Sequence, residues 1–364
     1  MLDQSKIEGM ASGVESVARL KDPVGQVLGR SELDRRLILE QVTCPIGVIG
    51  AVFESRPDAV PQISSLCLKS GNAVLLKGGS EAGRSNKVLV DIIARAAKEV
   101  PSVPGGWIHL IETRAEIREM LGLDEYIDLL VPRGSNAFVR YIQENTQIPV
   151  LGHADGICHV YVDKQADVDT ALSIAVDSKT QYPAVCNAAE TLLVHAKKAA
   201  AFLPAVVAEL KEAGVEVRGC PKTRKIVSGL KAAKSTDWSM EYLDLIVSVK
   251  IVTSMDDAIH HINKYGSGHT DTIVTRSKKR AHAFMDAVDS ACVFHNASTR
   301  FSDGYRFGLG AELGISTNKT HARGPVGVEG LVIYKYRLHG DGQIEADYSG
   351  AKGRNFTHKK LPIS

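Results

Sequence analysis

Short apolar runs alternate with amphipathic stretches along most of this chain, the pattern of strands alternating with helices in a largely parallel α/β fold. Residues 45–53 read as a strand interrupted by Gly47 and Gly50. Residues 59–69 place Val60, Ile63, Leu66 and Cys67 on one helical face, and Ser70-Gly71 closes that helix. A strand over 73–77 then runs through a glycine loop into a helix from Ser85 towards Lys98. This strand-helix-strand-loop-helix series is a nucleotide-domain pattern, and further strands are expected at 107–111, 127–131 and 157–162. A second block carries a helix at 166–178, a strand at 191–195 and a long amphipathic helix at 199–212. Strands at 245–252, 270–275 and 291–297 follow, with helices between them. The stretch 330–344, with Leu331-Val332-Ile333-Tyr334-Lys335-Tyr336-Arg337-Leu338, is extended and too apolar for a free tail. It is expected to pair with residues 37–42 or with a partner subunit.

At 364 residues the chain is long enough for two domains with their own cores. Hydrophobic residues at 44% and charged residues at 24% are ordinary globular values, and a net charge of +2 gives no reason to invoke nucleic acid or an anionic membrane. Cys44, Cys67, Cys158, Cys186, Cys220 and Cys292 are scattered without a CxxC pair. That argues against a disulfide scaffold and a metal site, and for a reducing compartment. The polar, acid-bearing opening Met1-Leu2-Asp3-Gln4-Ser5-Lys6 does not read as a signal peptide. No apolar run reaches the roughly 18 residues that span a bilayer. A cytoplasmic protein is the expectation.

Candidate chemistry centres on Cys186 in Gln181-Tyr182-Pro183-Ala184-Val185-Cys186-Asn187, between a helix and a strand. A thiol at such a junction can face a cleft from an anchored backbone, and acts as a nucleophile when local donors favour the thiolate. The alternative is a small buried core residue. The loop from Gly78 to Ser85 resembles a P-loop in outline, but Arg84 replaces the lysine and Glu81 would sit inside a phosphate cradle. A looser reading has Lys77 and this loop contacting a nucleotide at the carboxyl end of a strand. Arg56, in Phe53-Glu54-Ser55-Arg56-Pro57-Asp58, is either a surface turn or an anion clamp. His153 and His159 read as hydrogen-bonded structural histidines, His260 and His261 as a solvated helix face, and Lys222-Thr223-Arg224-Lys225 as wet surface. The stretch from Asn296 to Gly304, followed by a glycine-dense segment to Ile315, is either a substrate loop or an ordinary long one.

Taken together, residues 45–58, 77–81, 152–159, 182–191, 241–244, 296–304, 321–330 and 334–344 resemble, in order, the γ-glutamyl phosphate reductases (glutamate-5-semialdehyde dehydrogenases) of the aldehyde dehydrogenase superfamily. The resemblance implies a Rossmann-like cofactor domain over 1–155, with 34–44 in an oligomerisation flap. It implies a catalytic α/β domain over 156–328, and the rest of the flap with a C-terminal tail over 329–364. It implies NADPH-dependent reduction of L-glutamyl 5-phosphate in proline biosynthesis, through a thioester on Cys186. Arg56 falls at the oxyanion position, with Asn187 beside the nucleophile. Lys77, Gly79, Ser80, Glu81, Gly134, Ser135 and Glu241 fall in the cofactor site, with Glu241 on the nicotinamide ribose. His153 stands where hydrolytic relatives carry a water-activating glutamate. Arg300 or Arg56 is expected to receive phosphate, and Asn187, Asn296, Ser298 and Thr299 to line the substrate side. Family members carry several dozen residues ahead of this chain's first, and the same module occurs fused behind a glutamate kinase. Beside this reading stand a hydrolytic aldehyde dehydrogenase and a non-catalytic member that only oligomerises.

Overall fold

The computed structural model describes residues 3–54, 57–153 and 155–363. One four-stranded sheet has the order Ile108–Leu110, Ala73–Gly78, Val48–Phe53, Leu129–Arg133, every pairing parallel. Its strands are buried on both faces, as parallel strands between helices are. Ile49, Ala51 and Phe53 pack with Val60, Ile63 and Leu66 of helix Ala59–Lys69. Val52 and Leu130, on the other face, pack with Met120 and Ile142. A seven-stranded sheet runs Lys231–Ala232, Glu216–Gly219, Ile246–Val252, Ala189–His195, Cys158–Val162, Thr270–Val274, Cys292–His295, again all parallel. Phe202, Leu203 and Val206 of helix Ala196–Glu212 close one face, and Ile262 and Phe284 the other.

The third sheet is antiparallel. Val332–His339 pairs with Leu37–Pro45 in the register Lys335↔Val42 and Leu338↔Leu39, as its apolar character led one to expect. Val27–Asp34 and Lys359–Lys360 complete it. Among the described residues no helix is long and apolar enough to cross a membrane.

One element went unread and one reading needs correction. Helix Gln4–Ala18, capped by the Asp3 carboxylate accepting the Lys6 N–H at 2.9 Å, was not legible because Val17 is its single buried residue. His260 does face solvent on helix Met255–Tyr265, but His261 is 1% exposed, edge-on to Trp238 and His159. Its Nδ1 lies 2.8 Å from the Lys250 ammonium, which can only donate, so the ring is neutral. Burial, with His159 and Lys250 adding to it, pushes its pKa down to about 2.

Candidate active site

Strands Val48–Phe53, Ala73–Gly78 and Leu129–Arg133 end beside one another, so Glu54, Gly79 and Gly134-Ser135 share the carboxyl edge of the first sheet. The segments that precede Cys158, Ala189 and Thr270 share the amino edge of the second sheet. A cavity of about 670 Å³ opens at the first of these edges, lined by that sheet's own block, and one of about 490 Å³ lies between the two edges; Glu54 and Ser135 line both.

Cys186 lines the smaller cavity, half-buried in the turn between helix Val168–Thr180 and strand Ala189–His195. Its backbone is fixed from two sides. A Cβ on Gly156 would fall 2.1 Å from the Cys186 carbonyl oxygen, so only glycine permits this approach. The Cys158 thiol donates to that same oxygen at 3.2 Å. Asn187, buried beside the cysteine, donates its amide to the Ser302 carbonyl at 2.7 Å and leaves its Oδ1 without a partner. Its amide N–H₂ ties two loops together.

The expected cofactor residues separate into two groups. Lys77, Gly79, Ser80 and Glu81 line the larger cavity with Gly78, Arg118 and Phe138. Lys77 is buried and donates to the Gly78 carbonyl at 2.6 Å. A Cβ on Gly78 would meet the Asn86 amide at 2.0 Å, which keeps this strand end bare backbone. Gly134, Ser135 and Glu241 line the smaller cavity. The Ser135 N–H donates to Glu54 at 2.7 Å. Glu241 accepts from the Asn136 amide at 2.6 Å and the Gly156 N–H at 2.8 Å, bridging the two sheets. Its segment is held by buried Glu190, which accepts the Leu243 N–H at 3.3 Å and the Lys179 ammonium at 2.6 Å. Burial drives the Glu190 pKa up to about 7, with Lys179 opposing it.

On the substrate side, His153 and Arg300 reach the cavity with Cys186. The His153 Nδ1 donates to the Ile315 carbonyl at 2.6 Å. Arg300 is 8% exposed and donates through Nε to Gln181 at 2.9 Å, and its Nη groups remain for an anion. Ser298 and Thr299 are buried and bond Ser178, so neither lines the cavity. Asn296 is not brought to this cleft at all. It follows the carboxyl end of strand Cys292–His295, at the opposite edge of the sheet, where its amide holds both backbone groups of Thr275. Arg56 lies outside the described residues.

The sequence reading missed Arg306, Arg133 and Glu312, which also line the cavity. Arg133 bonds the Glu312 carbonyl at 3.3 Å, and burial raises the Glu312 carboxyl above its ordinary range against the pull of Arg133. It also missed His269, buried just before strand Thr270–Val274. One signal was available: Gly266-Ser267-Gly268-His269 is a loop entering a strand from the edge where Cys186 sits.

Residues 43–244 match the family described as Aldehyde dehydrogenase family. The chain is 60% identical over 359 residues to a γ-glutamyl phosphate reductase of Pelotomaculum thermopropionicum, covering 99% of this chain and 82% of that protein. It is 56% identical over 365 residues to the enzyme of that name from Methanosarcina acetivorans, covering 99% and 81%. The crystal structure of γ-glutamyl phosphate reductase from Thermotoga maritima matches with a TM-score of 0.91 at 45% identity, covering 94% of this chain and 83% of that one. An acetylating aldehyde dehydrogenase from Geobacillus thermoglucosidasius, at 19% identity and a TM-score of 0.66 over 94% and 93% of the two chains, shares the fold. The chain therefore belongs to the aldehyde dehydrogenase family and, within it, to the γ-glutamyl phosphate reductases.

Proposed function

We propose that this chain reduces L-glutamyl 5-phosphate to L-glutamate 5-semialdehyde with NADPH and releases phosphate, a step of proline biosynthesis. The observation that carries the reading is the placement of Cys186 in one cavity with Arg300 and Arg306, next to the bare strand-end cavity of Lys77 and Gly79. The names of relatives up to 60% identical over nearly the whole chain support the same substrate.

A nicotinamide dinucleotide fits what these residues offer. The larger cavity opens at the carboxyl edge of a parallel sheet, where open α/β sheets bind nucleotides. Gly78 and Gly79 line it as bare backbone, with Asn86 and Glu81 packed where their Cβ atoms would stand, and Lys77 and Arg118 would supply cations for the adenosine end. Ser135 and Glu54 line the passage towards Cys186, and Glu241 would hold the nicotinamide ribose. When bound, the reduced nicotinamide supplies the hydride.

The chain's own part begins with the Cys186 thiolate, which attacks the acyl carbon; the carbon–sulfur bond forms as the bond to phosphate oxygen breaks. Arg300 and Arg306 receive the leaving phosphate. Backbone N–H groups beside Cys186, with Arg56, would stabilise the oxyanion; one such donor is worth roughly 10²–10³ in rate elsewhere. Once the thioester carbon has taken its hydride, the oxyanion collapses to the aldehyde and returns the electron pair to sulfur. His153 sits at the cleft with its Nδ1 committed to Ile315, and the reaction asks for no water-activating base.

The test is the reverse reaction with purified protein. Semialdehyde oxidation should require phosphate, proceed faster with NADP than with NAD, and vanish in Cys186→Ser while dinucleotide binding persists. Oxidation that proceeds without phosphate or arsenate would overturn the reading.

A further inference from the structure

The Cys186 sulfur, a ring nitrogen of His153 and a ring nitrogen of His269 lie within 4.8 Å of one another. The three residues come from three separate loops at the amino edge of the seven-stranded sheet, preceding strands Cys158–Val162, Ala189–His195 and Thr270–Val274. The two imidazoles meet edge-on with centroids 4.7 Å apart.

The hydrogen bonds of both rings leave the same atom open. A carbonyl only accepts, so the 2.6 Å contact to Ile315 puts the proton of a neutral His153 on Nδ1 and the lone pair on Nε2. The His269 Nδ1 is engaged by the Thr270 hydroxyl at 2.9 Å, and its Nε2 is fully buried without a hydrogen-bond partner. Leaving a buried ring nitrogen without a partner is destabilising, which points to a partner from outside the chain. Metal-binding histidines have this arrangement: one nitrogen oriented by a protein group, the other free.

We propose that Cys186, His153 and His269 bind a zinc-class divalent cation, with a fourth position open to water or a substrate oxygen. One thiolate and two neutral imidazoles suit that borderline-soft ion, which takes three protein ligands at open sites. The charged lining of the cavity is mixed in sign, with Glu54, Glu241, Asp303 and Glu312 alongside Arg133, Arg300 and Arg306. Cys158 is not a fourth ligand, because its thiol donates to the Cys186 carbonyl. A sulfur bound to the cation has its lone pair committed and does not attack the acyl phosphate. The cation is thus a reversible inhibitor; this consequence rests on Cys186 being the nucleophile, whereas the site itself does not.

The experiment titrates cobalt(II) into the purified full chain in chelator-treated, phosphate-free buffer. One equivalent should raise a thiolate-to-cobalt charge-transfer band, and zinc should displace it. Cys186→Ser should abolish the band and Cys158→Ala should keep it. His153→Ala and His269→Gln should each weaken cobalt binding by about tenfold or more. His153, the more exposed of the two, tests the site even where the buried substitution impairs folding. A missing band, a band that survives Cys186→Ser, or affinity unchanged in His153→Ala overturns the site. A band with full activity at saturating zinc would instead sink the nucleophile reading, so the two failures are distinguishable.

Discussion

Arg300 shows how a surface-loving side chain is made specific. Burial removes the water that would hydrate its guanidinium, and it lowers the pKa of that group, with Arg306 adding repulsion. One N–H is spent on Gln181, which fixes the plane of the fork. On the proposed reading, a phosphate arriving beside Cys186 would meet donors that are already aimed. Losing a hydrogen bond to a charged group costs about 1.5–3 kcal/mol. Arg300→Ala should therefore raise KM for phosphate in the reverse assay roughly ten- to a hundredfold. Arg300→Lys should recover only part of this, because a point charge cannot make the forked contact. A KM unchanged in Arg300→Ala would remove this residue from the phosphate site. Asn187 makes the opposite point: it sits beside the thiol, yet its amide N–H₂ closes a loop onto Ser302. Neighbours in sequence share a backbone without sharing a direction, which is why residue type and position could not assign its task.

Among the elements, those with a strong period were legible. Helix Ala59–Lys69 has the bounds its apolar spacing gives, and the strands of both parallel sheets fall within a few residues of the apolar runs that mark them, except Glu216–Gly219 and Lys231–Ala232, which are short and went unread. Helices Arg114–Leu121, Asn136–Glu144 and Pro221–Ile226 went unread, each being too short to repeat an apolar period over more than about two turns. What the runs could not reveal is how the elements are fastened. Asp163 ends strand Cys158–Val162 fully buried and accepts from both Arg280 (2.8 and 2.6 Å), Tyr161, Thr275 and the Gln165 N–H. Burial pushes its pKa up, but these donors outweigh it and hold the carboxyl down at about 2. Between that value and the ordinary 3.8 the unfolded chain binds more protons, so stability rises with pH across this window. The contribution is present above about pH 4, amounts to about 2 kcal/mol, and is lost as the pH falls towards 2. Asp163→Asn should destabilise the protein by at least about that much at pH 7 in urea unfolding, with the gap to wild type closing between pH 4 and 2. A gap that stayed constant with pH would refute the assignment. Since Asp163 lies at the sheet edge opposite Cys186, the dinucleotide affinity of the folded variant should be unchanged.

At the scale of the molecule, the two parallel sheets could be read as separate blocks, but their facing edges could not. The carboxyl edge of one and the amino edge of the other define the cleft, and that geometry explains why Cys186 and Arg300 reach it while Asn296 does not. It also gathers His153 and His269 across 116 residues of sequence, which no local spacing discloses. The flap is different, because its pairing partner was legible from hydrophobicity, and the same hydrophobicity is left over after pairing. Val332–His339 is the edge strand of its sheet, and Tyr334, Tyr336 and Leu338, on one face of it, are 52%, 62% and 57% exposed. An edge strand with unpaired backbone groups and an aromatic face is a template for another chain. We expect a second copy of this chain to cover it, giving at least a dimer in sedimentation analysis. Leu338→Lys with Tyr336→Lys should shift the protein towards monomer while leaving the two parallel sheets folded. Wild-type protein that sediments as a monomer at micromolar concentration would rule the interface out, whereas a dimer indifferent to both lysines would move it to another face.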